Sequence, residues 1–425
     1  MMNLSCVSLV LLLAAFMELG TSFVPARHAM RTTGAETKLF AQDRRSFVGT
    51  SASFGSILSL LPQAPQVANA ALGKDNNNNN NEKIRIALWG YGNQNQLMAK
   101  YLADHEKDYE VVSVIGHHNI GEDYGTVESD SWGTIVGKKT GVKIVAEVDA
   151  PAEMIKTQPN VCMLCTLSTV SDLQDALTVC AQQKCNVITI AEELLNSKTS
   201  SPKLTQEMDE LFQHNGVSLT GSGFIDGACC EMTMMLASMM HKIDGLKGGL
   251  QYNVDDYGTV LANAHGVGLT KKEFNKFAKQ SAAKSYVYNS NEWFVSALGL
   301  TLGKTTEVRQ PTFATSPLFS KSIEREISVG DATGMKVIAT TTTKEGVVIV
   351  GEQVGKCYDE KSGDSDSVEW KFEGEPSGVS FRMDSPPTPQ MTNTAAISRI
   401  PQIVNAPPGY ITSDNLPRGK YITLK

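Results

Sequence analysis

The stretch Arg85–Leu102, RIALWGYGNQNQLMAKYL, decides the fold. It opens as an apolar run, breaks at Gly90 and Gly92, and continues with Leu97, Met98, Tyr101 and Leu102 at helical spacing. Strand, glycine turn and helix in that order form the context of a dinucleotide-binding loop. The first glycine permits a tight turn, and the second lets the backbone approach a pyrophosphate at the helix N-terminus. Where a third glycine normally packs helix against strand, this chain has Asn95, which adds bulk and offers an amide to a phosphate. The expected cofactor contacts are Gly90, Tyr91, Gly92, Asn93, Gln94 and Asn95, with Thr166 after a later strand.

Working outward from this loop, apolar strands alternate with helical segments: YEVVSVIG, VKIVAEV, VCMLCTL and CNVITIAE, separated by APAEMIKT, TVSDLQDALTVCAQQ and SPKLTQEMDELFQHNG, the last stopped by Gly216. Such alternation predicts an α/β fold with a Rossmann-type, doubly wound parallel sheet over residues 83–222. The second strand ends at VIGHHN, where an acid would hold an adenosine ribose. His117, His118 and Asn119 stand there instead and tolerate a 2′-phosphate, so NADP is preferred slightly over NAD; solvated loop histidines are the competing reading.

Residues 223–389 read as an α+β domain with an open, mixed or antiparallel sheet that serves substrate binding and dimerisation. Its strands are GLKGGLQYNV, MKVIATTTT, GVVIVGEQV, SVEWKFEG and GVSFRM, with helices near TKKEFNKFAKQS and SNEWFVSALGLTLG. In EMTMMLASMMH, residues Met232, Met235, Leu236, Met239 and Met240 recur at helical spacing and predict a core-facing stripe. Three groups are placed to act on a substrate. Glu193, after the fifth strand, can hold an ammonium group or act as a helix N-terminal acid; His265, in NAHGVG, can relay a proton or be structural; Asp226 can recruit a cation or cap.

The first part of the 425-residue chain reads as an address. The run LVLLLAAFM, Leu9 to Met17, is too short to span a bilayer and fits a signal peptide over residues 1–22. Residues 23–70 are basic and hydroxylated at first, with a TSFVP junction that resembles the bipartite plastid presequences of algae. Arg44–Arg45, an apolar stretch and Ala68-Asn69-Ala70 then have the form of a twin-arginine export signal, which leads to the thylakoid lumen; without it the destination is the plastid stroma. An asparagine-rich linker, residues 71–82, follows.

The net charge of −7 argues against nucleic acid and anionic membranes as partners, and no stable membrane insertion of the mature chain is expected. A small-molecule substrate and a homo-oligomer are. The eight cysteines do not make a disulfide scaffold, Cys162 and Cys165 read as buried core thiols, and no metal is expected.

The order of these segments resembles the dihydrodipicolinate reductase-like oxidoreductases, nearest the 2,4-diaminopentanoate dehydrogenase branch. ALWGYGNQN looks like that branch's glycine loop, NIGEDYGTV its segment after the second strand, and NVITIAEELL its fifth strand. GVSLTGSGFIDGACCEM resembles its crossing into the second domain, AHGVGLTKKEF a later turn, and RIPQIVNAPPGYITSDNLP its C-terminal ending. The resemblance implies NAD(P)-dependent hydride transfer to or from a small amine, imine or carbonyl compound. It also implies that residues 390–425 return to the nucleotide-binding domain. Asn95, and Ile225-Asp226 in place of Asn-Pro, depart from the pattern. They motivate an alternative, a non-catalytic Rossmann-fold binding or assembly protein of the plastid lumen. An oxidoreductase with a permanently bound cofactor is a third reading.

Overall fold

The computed structural model describes residues 82–280 and 283–423. The expectations for the presequence and the asparagine run lie outside the described residues.

The loop that opens the fold joins β1 (Ile84–Trp89) to α1 (Asn93–Ala103). Ile86, Ala87 and Leu88 are fully buried, because β1 is central and covered on both faces. Around it lie β2 (Tyr109–Gly116), β3 (Ile144–Ala146), β4 (Val161–Leu164), β5 (Asn186–Thr189) and β6 (Ser218–Gly221). A short strand near the C-terminus, β13 (Gly409–Tyr410), adds the seventh. The order β13-β6-β5-β4-β1-β2-β3 is parallel throughout, with the reversal beside β1 that creates a ligand crevice.

On one face pack α2 (Ala150–Thr157), α3 (Val170–Gln182) and α4 (Pro202–Asn215). Their Met154, Leu173, Leu177, Met208 and Phe212 meet Trp89, Leu164 and Val187. Gly216 ends α4 in the left-handed conformation, at φ 72°. The other face is completed by the end of the chain. Ala396, Ile397, Ile400 and Ile403, from α9 (Thr388–Ser398) and α10 (Ile400–Ile403), join Ile86, Leu88 and Met98. Each isoleucine, leucine or methionine among them contributes about 1.5–3 kcal/mol by burial. Asn393 Nδ2 donates to Gln94 Oε1 at 2.7 Å and fastens α9 to α1.

The second sheet has the order β8-β9-β10-β7-β11-β12. Its members are β7 (Lys242–Asn253), β8 (Leu302–Phe313), β9 (Ala332–Thr343), β10 (Val348–Lys356), β11 (Ser367–Glu375) and β12 (Ser380–Asp384). Only β7 and β10 pair in parallel, so the sheet is mixed. Against it lies α8 (Tyr286–Ala297), whose Trp293 and Phe294 join Trp370 and Ile349 in a third core. Sequence reading passed over β8: its alternation of threonines and charges gives an edge strand with little apolar pattern.

One helix runs against expectation. Residues Ile225–Glu231 form a π-helix that passes into α5 (Met232–Ala237). Met232, Met235 and Met239 are exposed by 39, 49 and 60%, whereas Cys229, Cys230 and Thr233 are buried. The wide π turn advances the phase, so the face fixed by Ala228–Cys230 continues through Thr233 and turns much of the methionine stripe outward. Met240 and Leu236 do pack on the core.

Candidate functional site

Gly90 adopts φ +85°, and a Cβ there would lie 2.5 Å from the Cys165 carbonyl oxygen and 2.6 Å from Thr166 Cγ2. Both conformation and space demand glycine, and the fit presses the loop onto the end of β4. At Gly92 a Cβ would meet nothing within 4 Å. Gly92 is the N-cap of α1, no side chain caps that helix, and its first turn holds no acid. Orphan amides facing open space form an anion cradle, which fits the pyrophosphate of a dinucleotide. Asn93 and Thr166 are exposed at its rim; Gln94 is half-buried and takes the bond from Asn393.

Two expectations at this loop require correction. Asn95 is fully buried, and its Nδ2 donates to the carbonyls of Trp89 (2.9 Å), Gly90 (3.3 Å) and Met163 (3.1 Å). No donor remains for a phosphate. The carboxamide takes over the packing role of the third glycine and ties helix to strand ends, leaving the anion cradle clear. Tyr91 likewise turns inward: it is 4% exposed, and its hydroxyl donates to the Tyr124 carbonyl at 3.3 Å. Only its backbone borders the cradle.

His117 and His118 are exposed beyond the end of β2. His117 Nε2 lies 3.0 Å from Glu147 Oε2, and the other oxygen of Glu147 accepts from Trp89 Nε1 at 3.0 Å. Glu147 was not foreseen, since it follows β3 rather than β2.

The acids and the histidine proposed to face substrate are largely committed to structure. Glu193 accepts from the Val170 amide at 2.8 Å and from the hydroxyls of Ser200 (2.7 Å) and Ser201 (2.6 Å). It caps α3, and its carboxylate is spent there. Asp226 is 2% exposed and accepts from Ser222 and the Gly223 amide; Arg399, also buried, bridges it to Glu231. Burial pushes the pKa of Asp226 up, against the pull of Arg399. This acid joins the C-terminal segment to the domain crossing and recruits no external cation.

His265 is buried, with Nδ1 2.8 Å from the Leu261 carbonyl and Nε2 2.7 Å from Tyr252 Oη. A carbonyl only accepts, so Nδ1 carries the proton and Nε2 accepts from the tyrosine. Gln353 Nε2 donates to the same hydroxyl at 2.7 Å. Desolvation lowers the pKa of His265, consistent with this neutral tautomer.

The free carboxylate is the neighbour of the expected one. Glu192 remains exposed to solvent, yet desolvation raises its pKa, the mark of a group that is wet but closely walled by protein. Its charge acts on Tyr252, Tyr257 and Tyr286, whose pKa values all rise, chiefly by burial. Tyr286 Oη is buried and makes no hydrogen bond. Tyr257 shares one with Thr388 at the start of α9, which draws the C-terminal helix to the same place. Glu192 follows β5 at the carboxyl edge of the parallel sheet, where open α/β sheets bind ligands. The sequence pair Glu192-Glu193 marked the position but not which acid turns outward. A carboxylate within electrostatic reach of a hydroxyl backed by histidine and of an unpaired hydroxyl can bind a cation and move protons.

Comparison with known proteins shows which chains this one is similar to. Residues 229–424 match the 2,4-diaminopentanoate dehydrogenase C-terminal domain. The chain is 26% identical over 354 residues to the 2,4-diaminopentanoate dehydrogenase of Acetoanaerobium sticklandii, covering 79% of this chain and 94% of that one. It is 31% identical to an amine dehydrogenase of known structure from Mycobacterium smegmatis, with a TM-score of 0.71, covering 80% of this chain and 98% of the other.

Proposed function

The chain belongs to the 2,4-diaminopentanoate dehydrogenase and amine dehydrogenase family of dihydrodipicolinate reductase-like NAD(P)-dependent oxidoreductases, and we propose that it oxidises a small primary amine, and in reverse aminates a carbonyl compound, with Glu192 as the general base. The observation that carries this reading is Glu192 itself, a solvent-reached carboxylate at the carboxyl edge of the parallel sheet and within electrostatic reach of three tyrosines.

The amides at the start of α1, with Gly90, Gly92 and Thr166, would hold the nicotinamide nucleotide, which when bound supplies the hydride acceptor or donor. An amine arrives as an ammonium ion, attracted to Glu192. It cannot give up hydride until it loses a proton, because the nitrogen lone pair must support the departing C–H electrons. Glu192, whose pKa is raised by desolvation and which is therefore a stronger base than a free carboxylate, takes that proton. Once Glu192 has released that proton to solvent, water attacks the iminium and its proton passes to the carboxylate or through Tyr252, held by His265 and Gln353. Return of a proton to the carbinolamine nitrogen then breaks the C–N bond, releasing ammonia and leaving the carbonyl.

The preference for NADP over NAD rests on His117 and His118 at the end of β2. Delivery to the thylakoid lumen rests on Arg44–Arg45 and Ala68-Asn69-Ala70, the stroma being the alternative. A homo-oligomer is supported by exposed Val308 and Phe313 on edge strand β8 and by Phe319 and Val329 beyond it. Light scattering on the purified chain reads that state directly. No helix among the described residues is long and apolar enough to cross a membrane.

The decisive experiment screens the full chain with small amines and diamines, NADP⁺ and NAD⁺, following reduced nucleotide. Glu192→Gln is expected to lower kcat about 10²–10⁴-fold with nucleotide affinity unchanged. Turnover surviving that substitution would overturn the role of Glu192; nucleotide binding without turnover of any amine would overturn the substrate class.

A further inference from the structure

The parallel register aligns Gly116 of β2 with Ala146 of β3, so His117 and Glu147 leave the sheet side by side. They do so at the carboxyl edge, next to the glycine loop and on the side of β2 where the adenosine ribose of a dinucleotide lies. Glu147 is held at two points: Trp89 Nε1 donates to Oε1 and His117 Nε2 meets Oε2, each at 3.0 Å. Trp89 is 3% exposed and fixed in β1, so it pins the carboxylate, whereas the imidazole, on an exposed loop, is the movable partner.

We infer that Glu147 and His117 together set the choice between NAD and NADP, with Glu147 serving the ribose hydroxyls of NAD and His117 leaving it to hold the 2′-phosphate of NADP. This rests on the nicotinamide-nucleotide reading of the loop. A pinned carboxylate accepts from a ribose diol, and it repels a phosphate at the same place. The imidazole can turn from the carboxylate and donate an N–H to the phosphate. Among the described residues, Glu147 is the charged group at ion-pair distance from His117. From β1 comes the uncharged Trp89, and from its own loop His118. The mild preference inferred from the histidines alone becomes a balance between the imidazole and the carboxylate it meets.

Calorimetric titration of the full chain with NADPH and NADH tests this without any substrate. Glu147→Gln keeps an oxygen for Trp89 and removes the charge. It is expected to strengthen NADPH binding by about tenfold, the scale of repulsion between exposed charges at contact distance. His117→Ala is expected to weaken NADPH binding by about tenfold and to change NADH binding by less than about twofold. An unchanged NADPH-to-NADH ratio in either variant, at unchanged melting temperature, would overturn the inference. Failure of the unsubstituted chain to bind either nucleotide would instead overturn the cofactor reading beneath it.

Discussion

Asn95→Gly restores the residue expected at the end of the glycine loop, and the structure says that the restoration harms the protein. The substitution removes two amide hydrogens shared among the carbonyls of Trp89, Gly90 and Met163, about 2 kcal/mol at roughly 1 kcal/mol for each bond. The vacated volume in a fully buried site costs about a further 1 kcal/mol, and glycine in a helix a few tenths. Against this, Asn95 Oδ1 is itself buried without a partner, and losing it returns about 1 kcal/mol. The net expectation is a destabilisation of about 2–3 kcal/mol, read as a lower urea midpoint at unchanged slope. NADPH affinity should stay within about twofold, because the side chain points away from the anion cradle. Asn95→Asp supplies the contrast: of similar shape but without donors, it sets a charge against three carbonyls and should cost more than glycine. If Asn95→Gly tightened nucleotide binding with no loss of stability, the inward orientation of the carboxamide would be refuted.

Three further outcomes follow from the same geometry. Gly90→Ala forces a Cβ into the Cys165 carbonyl at an unfavourable φ, and should lower stability by more than the roughly 1–2 kcal/mol of the left-handed conformation alone, together with nucleotide binding by fluorescence transfer. Because folding raises the Glu192 pKa, the folded chain holds that proton more tightly than the unfolded one. Its contribution is thus full below the ordinary carboxylate range and is lost as pH rises through the raised value. Glu192→Gln should be neutral or stabilising at pH 8 in thermal melts, whereas Glu193→Gln, which disturbs the cap of α3, should cost about 1 kcal/mol. Arg399→Met strands Asp226 and Glu231, whose pKa values are already raised chiefly by burial. The loss should be about 3–5 kcal/mol at pH 8 and smaller at pH 5, where the carboxyl groups take up protons; equal losses at both pH values would contradict the ion-pair account.

The architecture was largely legible because it is written in short-range periods. Buried parallel strands appear as apolar runs, helices as recurring apolar faces, and turns as glycines, each within a few residues of chain. The glycine loop, the first five strands and the stop at Gly216 are of this kind. The methionine stripe was misread because helical spacing shows which residues share a face but not whether that face packs, and here Cys229, Cys230 and Thr233 take the buried side.

At the site, residue types were legible but directions were not. The sequence alone determined that an acid pair follows β5, that histidines follow β2 and that two glycines open the first helix. Packing decided that Glu193 turns back to cap α3 while Glu192 stays exposed to solvent. It also decided that Asn95 serves the strand ends, that Glu147 joins His117, and that Arg399 meets Asp226 from 173 residues away. A side chain's direction follows from whichever donors, acceptors and charges the finished fold brings within about 3 Å, and those neighbours come from segments that no local pattern connects.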